Sequence, residues 1–294
     1  MKTKDISKVL ASMYLLRREL VPCFIGAPGI GKTQGVHEFA KSMGVKVVTF
    51  ILSNAVPSEV SGIRMPDNEN HTLVTFDDAR MASLEDGDIL FFDEILEAPP
   101  MLWSSILTLI QDRTMASGRK LPDVMIVAAS NPVASAGMIP PSVRDRFEWC
   151  ELVFDFPAWR NWFWDKFGYD VPENTFTLFK SDSGDYNILT PRKFTKLFEW
   201  FLANQGDEDV TKWIGEFHGY PLVETFKEIM KSKDKFDGRR IVREMKLAGI
   251  DLPTEWQEMS LYSIFNAIQE LEEGEYKDSI VEAMKDFEIP EEGE

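Results

Sequence analysis

The eight residues Gly26-Ala27-Pro28-Gly29-Ile30-Gly31-Lys32-Thr33 constrain this chain more than any other stretch. An apolar run, Leu20–Ile25, precedes them and reads as a short buried strand. Gln34–Lys41 follows and reads as a helix. Strand, glycine loop with Gly-x-x-x-x-Gly-Lys-Thr, then helix is the arrangement that cradles phosphate groups. Glycines reach backbone torsions that are closed to other residues. Consecutive N–H groups then face inward, beside the positive end of the helix dipole. All eight positions are therefore expected to surround a nucleotide's phosphates. Lys32 would reach the β- and γ-phosphates, and the Thr33 hydroxyl would ligate Mg2+.

The rest of the chain supplies the carboxylates such a site needs. Asp88–Glu94 reads as a strand whose four large apolar residues, Ile89 to Phe92, imply burial on both faces, as in a parallel sheet. It ends in Asp93-Glu94. Acid at the carboxyl end of a buried strand falls in the crevice where open α/β sheets bind ligands. Asp93 is expected to hold the metal, and Glu94 to polarise a water in line with the γ-phosphate. Asn131 closes the next strand, Asp123–Ser130, and a neutral amide there could orient that water without competing for the metal. Arg144 and Arg146 lie on a short helical segment, Pro140–Phe147. They are placed to act as a finger toward a neighbouring subunit's γ-phosphate, or to form salt bridges at home. Arg192 opens a helix behind Thr190 as N-cap and Pro191 at the first position. It could report phosphate state to a second domain, or form a salt bridge.

Other elements are coarser. Met1–Leu20 reads as an amphipathic helix rather than a signal peptide, and Lys46–Leu52 as a strand. Arg64–Phe76 reads as a hairpin with a polar turn at Asp67–Asn70, and Arg113–Leu121 as a second polar excursion turning at Gly118. Asp77–Leu84 and a stretch from Pro99 to Leu109 read as helices, and Glu151–Phe156 as the fifth strand. After Pro157 helical periodicity takes over. Trp159, Trp162, Phe163, Trp164 and Phe167 are expected in a helix core. Helices are expected near Asp209–Phe217 and Leu222–Lys231. Lys231, Lys233, Lys235, Arg239, Arg240 and Arg243 form a basic cluster, and Glu270–Glu294 an acidic last helix and tail. The chain thus divides into a nucleotide-binding core, residues 1–156, and a helical region, residues 157–294.

Thirty-two basic against 49 acidic residues give a net charge of −17. That disfavours a sequence-independent grip on nucleic acid, although Arg64, Arg113, Arg119 and Lys120 on the two excursions could supply a local one. Cys23 and Cys150 form no C-x-x-C pair, so buried thiols in a reducing, cytoplasmic setting are expected. No apolar run approaches the roughly 20 residues of a membrane helix.

The set Gly26–Thr33, Ile89–Glu94, Ser130-Asn131-Pro132, Arg144–Phe147 and Thr190-Pro191-Arg192 resembles the AAA+ ATPases. The order matches Walker A, Walker B, sensor 1, arginine finger and sensor 2. Within that superfamily the excursion near Gly62–Phe76 resembles the helix-2 insert of the MoxR-type branch. After Asp93-Glu94-Ile95 the chain departs from that branch, with Leu96-Glu97-Ala98 where Asn-Arg-Ala is usual. Arg146, directly before Phe147, matches the finger motif better than Arg144. The resemblance implies an α/β fold: a P-loop core with a five-stranded parallel sheet flanked by helices, then an all-α lid and a helical C-terminal region. It implies ATP and Mg2+ as ligands and a ring, most often a hexamer. A MoxR-like protein would remodel client proteins as a chaperone or assembly factor, with a von Willebrand factor A domain partner. The rival expectations are a DNA- or RNA-directed motor subunit and a nucleotide-gated scaffold with little turnover.

Overall fold

In this computed structural model the described residues are 1–132, 140–179, 189–204, 207–231, 237–247, 249–253, 256, 264, 267, 268 and 271–284. They form two compact units, Met1–Asp155 and Phe156–Glu294.

The first unit is built on a parallel sheet. Its strands are β1 (Pro22–Gly26), β2 (Val47–Ile51), β5 (Ile89–Asp93), β6 (Met125–Ser130) and β7 (Glu148–Leu152). They lie in the order β2-β5-β6-β1-β7. The expected five-stranded parallel sheet is present. A separate antiparallel pair, β3 (Ile63–Asp67) and β4 (Thr72–Phe76), forms the expected hairpin. Asp67 accepts from the Glu69 and Asn70 amides at 3.0 and 3.1 Å, and from Asn70 Nδ2 at 2.8 Å. The contacts from Asn70 hold its carboxyl below the usual range.

The continuous apolar runs explain why the sheet is central. Leu90 and Phe92 of β5 pack with Cys23, Phe50, Ile126 and Ala128 on one face. Ile89 and Phe91 pack with Phe24, Met125, Val127 and Ala129 on the other. Alternate side chains of a strand point to opposite faces, so such a strand must be apolar throughout. Helices α1 (Ile6–Tyr14) and α2 (Lys32–Met43) cover the second face through Ile6, Leu10, Val36 and Phe39. After two short helices, α3 (Pro57–Ser61) and α4 (Ala79–Ala82), helix α5 (Trp103–Gln111) covers the first face through Trp103, Ile106, Leu109 and Ile110.

Three expectations need correction. The fifth strand is not Glu151–Phe156 but β7, because pairing with β1 sets its register from Pro22↔Glu148 to Gly26↔Leu152. Glu148, Trp149 and Glu151 are exposed, so this edge strand lacks the apolar signature of a central one. Val153, inside the apolar run that suggested the strand, is 63% exposed. The first helix is also shorter than Met1–Leu20, since α1 ends at Tyr14. The helix expected from Pro99 begins as a 3-10 turn, Pro100–Leu102, before α5.

A short helix, α6 (Pro141–Arg144), precedes β7. In the second unit α7 (Phe156–Phe167) and α8 (Pro191–Ala203) meet through a ring cluster. Phe163 lies 5.0 Å from Phe198 and 5.9 Å from Phe194, centroid to centroid. Phe226 of α10 (Tyr220–Lys231) joins it, 5.1 Å from Phe194. The Thr190 hydroxyl accepts from the Lys193 amide at 3.1 Å, the expected cap. Helices α9 (Glu208–His218), α11 (Asp237–Leu247) and α12 (Glu275–Ala283) also belong to this unit. Of the basic cluster, Arg243 pairs with Asp165, while Lys233 and Lys235 lie outside the described residues. So does the acidic tail beyond residue 284.

Candidate active site

The register of the central strands brings the candidate residues to one edge. Ile25 pairs with Ser130, and Asp93 with Ala129, so the ends of β1, β5 and β6 lie level. The loop after β1 and the start of α2 therefore face Asp93, Glu94 and Asn131. Gly29 and Gly31 have φ of 77° and 102°, in the region that favours glycine. At Gly26 a Cβ would lie 2.8 Å from the Leu152 carbonyl oxygen and 2.7 Å from Ile30 Cδ1, so the loop's first residue is packed too closely for a side chain.

Lys32 is buried to 7% exposure. Its ammonium donates to the Gly26 carbonyl at 2.7 Å, the Ala27 carbonyl at 3.0 Å and Asn131 Oδ1 at 2.8 Å. Three acceptors match three ammonium protons. The Thr33 hydroxyl donates to Asp93 Oδ2 at 2.8 Å. The Asp93 Oδ1 accepts from the Glu94 amide at 3.0 Å. Lys32, Thr33, Asp93 and Asn131, singled out in the sequence, thus form one contact set. Glu94 adjoins it but turns away. Its φ is 57° and its backbone left-handed, a conformation that non-glycine residues seldom adopt. One of its carboxylate oxygens accepts from the hydroxyl of Ser53, two residues past β2. Ser53 is the residue that sequence reasoning missed. A lone serine after a strand carries no pattern, and only the register Ile51↔Asp93 places it there.

The donor set suits a magnesium ion. Thr33 and Asp93 offer hard oxygen at one point. Among the described residues no group of three or more His, Cys, Asp or Glu side chains could hold a metal alone. Mg2+ is characteristically held by one or two protein oxygens, with waters and phosphate oxygens completing its shell.

Residues 22–147 match the family described as "AAA domain (dynein-related subfamily)". Over these residues the chain is similar to an AAA domain. Its match takes in the glycine loop, Asp93-Glu94, Asn131 and both candidate finger arginines. The RuvB subunit of the Holliday junction branch migration complex from Campylobacter fetus subsp. fetus is 31% identical over 135 residues, covering 42% of this chain and 34% of that protein. RuvB from Campylobacter concisus is 30% identical over the same length, with the same coverage. The chain spans about a third of the length of these curated relatives. Among solved structures, the Thermotoga maritima RuvB Holliday junction branch migration motor is 16% identical, with 82% of this chain and 75% of that chain covered and a TM-score of 0.46. NtrX from Brucella abortus in complex with ADP is 13% identical, with 89% and 67% covered and a TM-score of 0.44. These relatives do not carry the MoxR-type placement expected from the hairpin; the sequence likeness is to RuvB instead.

Of the remaining candidates, Arg144 and Arg146 lie at and just beyond the end of α6, and Arg192 lies in the second unit. Arg144, the last residue of α6, accepts at its carbonyl from Trp149 Nε1 at 2.7 Å. Arg146 is exposed and packs its guanidinium against Gln111, the last residue of α5. Arg192 is exposed in the first turn of α8, in the second unit. Of the four basic residues of the excursions, Arg113 departs from expectation, while Arg64, Arg119 and Lys120 are exposed. Arg113 is buried, donating to the Val124 carbonyl at 3.0 Å and the Arg17 carbonyl at 2.7 Å, and burial pulls its pKa down to about 10. Arg119 donates to the Ala82 carbonyl at 3.1 Å and Lys120 to that of Asp112 at 3.1 Å. Arg64 is exposed on β3. Arg113 is thus a structural cation rather than a surface one. No helix among the described residues is long and apolar enough to cross a membrane.

Proposed function

We propose that this chain hydrolyses ATP with Mg2+ at a site completed by a neighbouring subunit, in a cytoplasmic ring of six subunits. The observation that carries the reading is the meeting of Lys32, Thr33, Asp93 and Asn131 within hydrogen-bond reach, with Glu94 adjoining. Thr33 and Asp93 would hold the metal, which when bound neutralises charge on the phosphate oxygens. Lys32 would exchange its carbonyl partners for the β- and γ-phosphates. Glu94 would take a proton from the attacking water, and Asn131 would hold that water in line. Arg146 would reach the neighbour's γ-phosphate, with Arg144 as the other candidate, and Arg192 would relay the phosphate state to its own unit.

Glu94 must first release Ser53 to act as a base. Hydrogen bonds to charged groups contribute roughly 1.5–3 kcal/mol. Ser53→Ala is therefore expected to raise basal ATP turnover by about tenfold, measured by phosphate release under saturating Mg-ATP. A fall of similar size would mean that the hydroxyl orients the carboxylate rather than restraining it.

For the work done, a DNA-directed motor is the first reading, supported by the two RuvB relatives, which are subunits of a Holliday junction branch migration complex. Protein remodelling, with a von Willebrand factor A domain partner, is the second. It is favoured by the net charge of −17 and by a hairpin with Leu73 65% and Phe76 57% exposed. Turnover measured with a DNA four-way junction separates them. Stimulation that fades between about 50 and 200 mM salt supports the first reading, because phosphate contacts release counterions. Stimulation by an unfolded protein, with DNA inert, supports the second.

A further inference from the structure

Arg146 is the candidate finger, and its surroundings are chemically unusual for an exposed arginine. Among the described residues no carboxylate oxygen lies within the 4.0 Å of an ion pair. Its partner is instead an amide. With the Gln111 oxygen toward the guanidinium, it accepts from Arg146 Nε at 2.7 Å and from Nη2 at 2.5 Å. The opposite orientation would set amide donors against guanidinium donors, so the hydrogen-bond network assigns the oxygen. Gln111 ends α5, whose Ile106, Leu109 and Ile110 are buried against the sheet, so the amide is presented from a packed element. The Arg146 amide is itself tied to the Val143 carbonyl at 3.0 Å.

We propose that Gln111 is the positioning residue of Arg146: it grips the guanidinium on two of its nitrogens while leaving the positive charge uncancelled. This rests on the reading of Arg146 as a trans finger. The physics separates orientation from neutralisation. A carboxylate in the same place would orient the fork as well and attract it more strongly. It would also cancel much of the charge that has to meet a neighbour's γ-phosphate. A neutral oxygen fixes two N–H directions, and the fork's five donors leave three for another partner.

The test uses the full chain at concentrations where it self-associates, with kcat and KM for Mg-ATP and the melting temperature measured together. Arg146→Ala first tests the underlying reading, and is expected to lower kcat by about 10³-fold or more. Unchanged kcat there would remove the finger reading itself, independently of Gln111. With Arg146 established, Gln111→Ala is expected to lower kcat by about threefold to tenfold with KM and melting temperature unchanged. Gln111→Glu is expected to lower kcat further, by about tenfold beyond the alanine variant at low salt, and to recover part of that loss at high salt, as an exposed ion pair is screened. Gln111→Glu matching wild type, or equal and salt-independent losses in both variants, would overturn the proposal. A merely structural role for Gln111 would move the melting temperature and give no salt-dependent kcat.

Discussion

Glu94→Gln is expected to lower kcat for ATP by about 10²–10⁴-fold, the usual worth of a positioned general base, while leaving nucleotide affinity within about threefold of wild type. The reasoning is geometric. Glu94 is outside the contacts that join Lys32 to the loop and Thr33 to Asp93. Glutamine keeps the shape and can still meet the Ser53 hydroxyl through its amide oxygen. What it loses is the ability to take a proton from water. Single-turnover phosphate release, run beside binding of a fluorescent ATP analogue, checks both halves. A variant that turned over at the wild-type rate would remove Glu94 from the chemistry. One that no longer bound nucleotide would show that the residue shapes the pocket.

Lys32→Met is expected to weaken ATP binding by about 10²–10⁴-fold, since two charge-assisted contacts to phosphate, each worth roughly 1.5–3 kcal/mol, are lost. The effect should reach further than affinity. The same ammonium ties the Gly26 and Ala27 carbonyls to Asn131. Methionine preserves the buried stem but leaves Asn131 Oδ1 without that donor. The melting temperature without nucleotide should fall by a few degrees, and addition of Mg-ATP should no longer raise it. Calorimetric titration and thermal melts measure the two consequences. Wild-type affinity in this variant would mean that the loop's backbone amides and helix terminus suffice to hold the phosphates.

The two variants probe residues that were legible in the sequence for a physical reason. A glycine loop between strand and helix, and acid at the end of an all-apolar strand, have few other uses. The central strands were legible because burial on both faces leaves no room for polar residues, as in Ile89–Phe92. The same logic failed at the sheet's rim. β7 is solvated, so its register came from pairing with β1 and not from hydropathy. Single polar residues were invisible as well. Nothing in the chain marks Ser53 or Gln111, whose partners Glu94 and Arg146 are brought to them only by the fold. Arg113 illustrates the reverse error. A basic residue in a polar excursion suggested a surface for nucleic acid, yet its guanidinium is spent on two backbone carbonyls. Branch placement was the least legible, because the motifs of the nucleotide site are common to AAA+ proteins and a hairpin insert alone does not distinguish among them.

The left-handed backbone at Glu94 has a consequence for how such a protein can evolve. Side-chained residues hold that conformation at a cost of order 1 kcal/mol or more, and the penalty recurs in each copy of the chain. Selection for durability alone would favour glycine or asparagine there, so an acid at this bend sets the site's chemistry against thermal endurance.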